Sequence, residues 1–345
     1  MRVEGAKLTV YFSERARRGG AFLSDRLIEH YAREGLHTSV LLRGADGFGA
    51  HHRLHTDRLL SASENLPAVS IAVDRRERIE SALPGAQALA AGAGLVTLER
   101  AILLDGPDLE RVAPPGGLGP DLKLTLYGGR RVRARGQAGY VNAVDHLAAA
   151  RATGATILLA VDGTLHGRRR RARFLARNAD VPLMIISVGD AARITAALPE
   201  LAAMLDDPVA TLERVQICRA GGRRLSEPVG VPAHDQAGRP NWQKLTVHIE
   251  EGATHLGQPI HSALLLGLRD GGWAGMTTLR GVRGFYGGRR PFADRMLSVR
   301  RAAPVLLVAI DTAEQIRAHW PLVSDLTAEH GLVTSELVPT AFTAG

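Results

Sequence analysis

The stretch "KLTVYFS" at residues 7–13 alternates Leu8, Val10 and Phe12 with Thr9 and Tyr11. That period-two pattern predicts a strand with one buried face. In "GGAFLSDRLIEHYAREG", Leu23, Leu27 and Tyr31 recur every fourth residue, which predicts a helix closed by Gly35. "HTSVLLRG" predicts a second strand, followed by a long loop, and "LPAVSIAVD" a third. "DRRERIESALPGAQALA" predicts a second helix with Asp74 as its N-cap, and "GLVTLERAIL" a fourth strand. The order β-α-β-β-α-β is that of a ferredoxin-like unit.

The chain repeats this unit three times. "KLTVY" at 7–11 returns as "KLTLY" at 123–127 and "KLTVH" at 244–248. With Lys7, Lys123 and Lys244 as origins, a glycine falls forty residues on in each case: Gly47, Gly163 and Gly284. A proline precedes an apolar run at Pro67, Pro182 and Pro304, and a second proline recurs at Pro84, Pro199 and Pro321. The units close on "LVTLE", "VATLE" and "LVTSE". Landmarks in register at this density identify an internal repeat. The expected organisation is repeat 1 over 1–103, a linker over 104–122, repeat 2 over 123–218, a linker over 219–243, repeat 3 over 244–338 and a tail over 339–345. Both linkers are rich in Pro and Gly and lack periodicity.

A lone ferredoxin-like unit leaves one sheet face wet. The strands "PLMIISVGD" and "PVLLVAID" are apolar at nearly every position, as strands buried on both faces are. Three equivalent units solve this most simply by closing with their sheets turned inward. The expected fold is therefore α+β, three tandem ferredoxin-like repeats forming a pseudo-trimer in one polypeptide.

Repeat 1 carries Glu14 after its first strand, Arg43-Gly44 ending the second, then Gly47-Phe48-Gly49, Leu66-Pro67, and Leu95-Val96-Thr97. Repeat 3 carries Glu251, Arg280-Gly281, Gly284-Phe285-Tyr286-Gly287, Pro304 and Leu332-Val333-Thr334. This set resembles the bacterial PII-like family called domain of unknown function 190. Repeat 2 departs from it, with Arg130, Leu159-Ala160 and "GTLHG" at these places. The resemblance implies a sensor fold whose small effectors, commonly nucleotides, bind in clefts between units. It further implies a loop that contacts a regulated partner, such as a membrane transporter, channel or enzyme. The segments before each fourth strand lack the Gly-rich, Lys-bearing loop by which typical PII proteins grip phosphates, which leaves the effector open.

On the residues alone, Gly44, Gly47, Gly49, Gly281, Gly284 and Gly287 offer either close backbone approach to a ligand or a turn out of the second strand. Arg43 and Arg280 can pair with a phosphate or carboxylate ligand, or internally with Glu14 and Glu251. "GRRRRAR" puts Arg168, Arg169, Arg170 and Arg171 in the long loop of repeat 2, as a solvated run or as a surface for an anionic partner. His51, His52 and His55 have no completing ligand, and His166, His255 and His261 read as surface residues, so no metal site is expected. No cofactor motif and no catalytic constellation appears, and an enzyme is not expected.

The net charge of +8 favours anionic partners. With aromatics at 4%, nucleic acid is a weak expectation, kept as the alternative of nonspecific polyanion or anionic-surface binding. The single Cys218 and the absence of a signal-peptide pattern suggest a cytoplasmic protein.

Overall fold

The computed structural model describes residues 3–49, 55–56, 65–110, 112, 117–134, 136–172, 178–236, 238–293 and 302–342. Among them lie six helices and one large antiparallel sheet system, an α+β architecture of three tandem repeats. Most two-residue ribbons aside, repeat 1 runs β1 (Val3–Ser13), α1 (Leu23–Arg33), β2 (Thr38–Arg43), β3 (Asp46–Phe48), β4 (Pro67–Arg75), α2 (Arg76–Ala90) and β5 (Gly94–Asp105). Repeat 2 runs β6 (Asp121–Gly129), α3 (Gly139–Ala149), β7 (Gly154–Leu159), β8 (Asp162–Leu165), β9 (Arg168–Arg169), β10 (Leu183–Asp190), α4 (Ala191–Met204), β11 (Asp206–Arg214) and β12 (Gln216–Ala220). Repeat 3 runs β13 (Asn241–Glu250), α5 (Ile260–Asp270), β14 (Gly275–Arg280), β15 (Arg283–Tyr286), β16 (Pro304–Asp311), α6 (Ala313–Leu326) and β17 (Leu332–Phe342).

Within repeat 1 the antiparallel order is β2-β4-β1-β5, and repeats 2 and 3 keep it as β7-β10-β6-β11 and β14-β16-β13-β17. Pleating sends Leu8, Val10 and Phe12 to the helix side, where they pack with Leu23, Leu27, Tyr31 and Ile79. Val69, Ile71 and Val73 of β4 face the other way. They join Tyr127 and Met184 of repeat 2 and Leu279 and Leu306 of repeat 3 in a core shared by all three repeats. That shared core is why the central strands are apolar on both faces.

The repeats are joined edge to edge in a cycle. The end of β5 pairs with β11 from Val209↔Asp105 to Leu212↔Ile102, β12 pairs with the start of β17, and the end of β17 returns to β5 at Thr340↔Thr97. A second cycle uses the strand that opens each long loop. β3 pairs with β14, β8 with β2, and β15 with β7. Each repeat therefore lends a strand to another, and no sheet edge is left bare at these places.

Two expectations change in detail. Asp74 does not cap α2. Its carboxylate accepts from the His37 N–H at 2.8 Å and the Arg75 N–H at 2.7 Å, fixing the chain that enters β2. Asp311 does the same for Ala274 and Thr312 in repeat 3, whereas Asp190 of repeat 2 caps its helix through the Arg193 N–H. The segment read as the first linker also contributes to a core. Leu104 and Leu109 are buried against Leu122, Leu124 and the helices of repeat 2.

Candidate functional site

The polar face of β1 carries Lys7, Thr9 and Tyr11, in register with Glu99, Thr97 and Leu95 on β5. Repeats 2 and 3 present Lys123, Thr125 and Tyr127, and Lys244, Thr246 and His248, with Glu213 and Glu336 opposite the lysines. The three polar faces meet one another instead of water. Lys7 pairs with Glu99 at 2.9 Å and with Glu213 of the next repeat. Lys123 pairs with Glu213 at 2.8 Å and with Glu336, and Lys244 lies 2.5 Å from Glu99 and 3.3 Å from Glu336. Three ammoniums and three carboxylates thus alternate in a buried ring in which every carboxylate serves at least two repeats.

An ammonium suits this geometry because three donors radiate from one point, whereas a guanidinium is a flat fork. The sequence signal was available: these are the chain's only three lysines among 43 basic residues. Burial works against the charge on Glu99, but Lys244, Lys7 and Lys123 outweigh it and hold the carboxyl well below its usual range. Glu213 is lowered likewise, against burial, by Lys123 and Lys7. Lys7 and Lys123 are raised despite burial by their carboxylate partners, while burial prevails at Lys244 and lowers it.

Beside the ring lies a cavity of about 60 Å³ lined by the three threonines, Tyr11, Tyr127 and His248. His248 stands where the other repeats have tyrosine. It is 2% exposed, neither ring nitrogen has a protein hydrogen-bond partner, and burial followed by the Lys123 charge lowers its pKa to about 4. Among the described residues the three carboxylates also come within 4.8 Å of one another, but the lysines between them already supply the counter-charge.

The residues singled out from sequence lie at the rim, where the repeats join. Arg43 closes on Glu14 through Nε at 2.7 Å and Nη2 at 3.1 Å, and Arg280 donates to Glu251 at 2.6 Å. In repeat 2, Arg130 replaces the pair. Its guanidinium donates to the Ala160 and Pro182 carbonyls at 2.7 and 3.0 Å, at the root of the same loop.

The glycines are where one repeat docks on another. A Cβ at Gly47 would meet the Met276 carbonyl at 2.5 Å, one at Gly163 the Ser39 carbonyl at 2.2 Å, and one at Gly284 the Ala155 carbonyl at 2.6 Å. Gly44 and Gly281 are equally crowded, by Pro67 and Thr156, and Gly287 by the backbone of Gly221, while Gly49 is open. Phe48 then enters the core of repeat 3 and Phe285 that of repeat 2. The Gly-Phe pair is thus a close approach followed by a plug, worth roughly 1.5–3 kcal/mol for the buried ring. Repeat 2 has Thr164 in place of the phenylalanine, hydrogen-bonded to Ser39 at 2.9 Å.

Arg169 and Arg171 of the arginine run grip Asp25 on α1 of repeat 1 at 3.1 and 3.0 Å, and Arg169 also holds Asp162 at 2.7 Å. Arg168 and Arg170 remain exposed. His51 and His52 lie outside the described residues, as does the side chain of His55. Cys218 is buried, its thiol pushed up to about 12 by burial. No helix among the described residues is long and apolar enough to cross a membrane.

Comparison with known proteins adds two findings. A crystal structure of aspartate kinase from Synechocystis is similar at 11% identity and a TM-score of 0.28, over 97% of this chain and 43% of the kinase. The chain thus spans less than half the length of that enzyme. The sequence profile of the family DUF190, described as "Uncharacterized ACR", matches three times, at residues 5–103, 121–217 and 242–340. Since these three successive matches cover most of the chain, the chain belongs to the DUF190 family as a tandem of three members.

Proposed function

We propose that this chain is a PII-like sensor, a pseudo-trimer of ferredoxin-like repeats that binds a small anionic effector at inter-repeat clefts and regulates a partner protein. The carrying observation is the position of the Arg43–Glu14 pair. It sits at the root of the loop whose first strand is clamped onto repeat 3, and Arg43 is 57% exposed. An exposed ion pair is weak, about 1 kcal/mol or less, so a phosphate or carboxylate ligand can take the guanidinium from Glu14. That exchange would act directly on the loop that reaches across the junction. Arg280–Glu251 repeats the pairing at a second root, but with the carboxylate buried, so it yields the guanidinium less readily, whereas Arg130 bonds repeat 2's root to backbone and leaves no carboxylate to displace.

The effector is nucleotide-like in the first instance, with bicarbonate and 2-oxo acids as smaller candidates. The partner would be a membrane transporter, a channel or an enzyme, and the chain itself would be a cytoplasmic non-enzyme. A thermal-shift screen of nucleotides, cyclic dinucleotides, bicarbonate and 2-oxo acids tests this. A true ligand raises the melting temperature by linkage, and the rise is lost in Arg43→Ala/Arg280→Ala. If no compound shifts melting, the sensor reading loses its support.

Exposed Arg168 and Arg170 favour a second reading, nonspecific binding to polyanions. Such binding weakens by orders of magnitude as salt rises, whereas a cleft ligand persists.

A further inference from the structure

We infer that the junction between repeats 1 and 2 is a binding site for a divalent transition-metal ion, with His37, His166 and Asp105 as ligands. His37 enters β2 of repeat 1, Asp105 ends β5, and His166 lies at the tip of the β8–β9 hairpin that repeat 2 lays over repeat 1. His37 Nε2 and His166 Nδ1 face each other at 3.1 Å, and Asp105 Oδ2 is 3.5 Å from His37 Nε2. The three ligand atoms all lie within 4.8 Å of one another.

Two imidazoles on one ion at about 2.1 Å place their nitrogens roughly 3.0–3.4 Å apart, from right-angled to tetrahedral geometry. The observed spacing falls in that range. Only one hydrogen fits between the two nitrogens, but a dication in its place engages both lone pairs.

The outer nitrogens carry the second half of the inference. His166 Nε2 is held by Asp207, 2.9 Å from its carbonyl and 3.2 Å from its carboxylate. His37 Nδ1 meets Thr38 Oγ1 at 3.0 Å. An outer nitrogen fixed by a carboxylate or hydroxyl, with the inner one aimed at a shared point, is how proteins orient metal-binding histidines. The backbone invests in the same arrangement: His166 and Asp207 adopt left-handed φ of 49° and 44°. The Arg169–Asp25 and Arg171–Asp25 pairs pin the hairpin to α1, and Asp74 holds the His37 N–H.

Among the described residues the site exists once. At the junction of repeats 3 and 2, the positions of His37 and His166 are Thr153 and Gly287, and the Gly287 N–H simply donates to the Thr153 carbonyl at 2.8 Å. By sequence offset the remaining counterparts of His37 and His166 are Ala274 and Ala50, neither of which carries a metal-ligating side chain. Imidazole with carboxylate suits Zn²⁺, Co²⁺ or Ni²⁺, and three protein ligands leave a coordination position open.

The test is titration of the chelator-stripped full chain with Zn²⁺ by calorimetry and with Co²⁺ by visible absorption. One equivalent is expected, with Co²⁺ bands from mixed nitrogen and oxygen ligation. His37→Ala and His166→Ala should each abolish binding, and Asp207→Asn, which only positions His166, should weaken it roughly 10- to 100-fold. Metal-free melting curves of the variants, matched to the parent, exclude misfolding; His166→Asn serves if His166→Ala melts early. No binding at 100-fold excess over protein overturns the inference, and so does binding that survives both alanine substitutions. Arg43→Ala should leave metal binding unchanged, so this result and that of the effector screen are read separately.

Discussion

The centre of the molecule and its junctions obey different rules, although the same three copies build both. At the centre every repeat supplies one lysine and one glutamate, and the six groups alternate without exception. At the junctions the copies differ: Glu14–Arg43 and Glu251–Arg280 against Arg130, Phe48 and Phe285 against Thr164, and an imidazole pair at one junction. Burial explains the contrast. Each central charge is shared between repeats, so changing one leaves an excess charge in a buried interior. A junction residue answers only to its local neighbour and to water, so each copy can settle its own chemistry. Divergence among the copies therefore marks where function has been free to enter.

The sharpest way to break this comparison is to remove one ammonium. Lys123→Met leaves three buried carboxylates to two ammoniums, with Glu213 held only by Lys7 and Glu336 only by Lys244, and should cost about 3–5 kcal/mol, read as a lowered urea midpoint. Lys123→Met/Glu213→Leu, which removes a pair, should recover a large part of that loss. If the single variant is as stable as the parent, the ring does not govern the centre.

Protonation probes the same ring, with the sign set by direction. Glu99 and Glu213 have folded pKa values below their unfolded ones, so their contribution is present above about pH 4.5 and is lost as pH falls further. Lys7 and Lys123 are raised, so theirs is intact below about pH 10.5 and is lost as pH climbs through the folded values. His248, lowered to about 4, stabilises the neutral form. Stability is complete above the unfolded imidazole value and falls by roughly 3 kcal/mol between pH 6.5 and 4. Glu99 and Glu213, held below their usual range by the lysines, contribute no decline at pH 5–6, whereas His248 does. His248→Tyr, which restores the residue of the other repeats, should flatten the melting temperature across that interval. An unchanged slope would assign the loss elsewhere.

Much of this was legible in the chain. Period-two and period-four apolar spacing marked the strands and helices, and the recurring Lys, Gly and Pro marked the repeats. The doubly apolar strands 182–190 and 304–311 announced a second buried face, which the shared core supplies. The ring was not legible from one copy, because Lys7, Thr9 and Tyr11 alternate with Leu8 and Val10 as any solvent-facing set would. Only the meeting of three such faces turns them inward. The glycines had two readings, ligand or turn, and at Gly47 and Gly284 the structure shows a further role: a carbonyl of another repeat occupies the space a Cβ would need. His37 and His166 are 129 positions apart, and only the exchange of strands between repeats brings them together.

Two smaller effects sharpen the junction side. Gly47→Ala pushes a Cβ into the Met276 carbonyl and Gly163→Ala one into that of Ser39, so the lent strand must shift. Each should cost about 1–3 kcal/mol, read as a lower denaturation midpoint, and the shift should speed amide exchange in the paired strand. A neutral result at either glycine would mean the docking strand yields freely.

The smallest change is the most telling for the proposed effector site. Arg43→Ala removes an ion pair whose guanidinium is largely in solvent, and the stability change should stay within about 1 kcal/mol. A loss of several kcal/mol would make Arg43 a structural strut comparable to Lys123, and the distinction between a constrained centre and a permissive rim would fail there. A small loss leaves the protein folded with its loop root unpaired. Glu14→Gln should be similarly mild but opposite in consequence, because it frees the guanidinium from its internal competitor. If the cleft takes an anion through Arg43, Glu14→Gln binds it more tightly and Arg43→Ala more weakly, by calorimetry on proteins of nearly equal stability. That opposition between two mild variants is what a binding role yields and a merely structural pair does not.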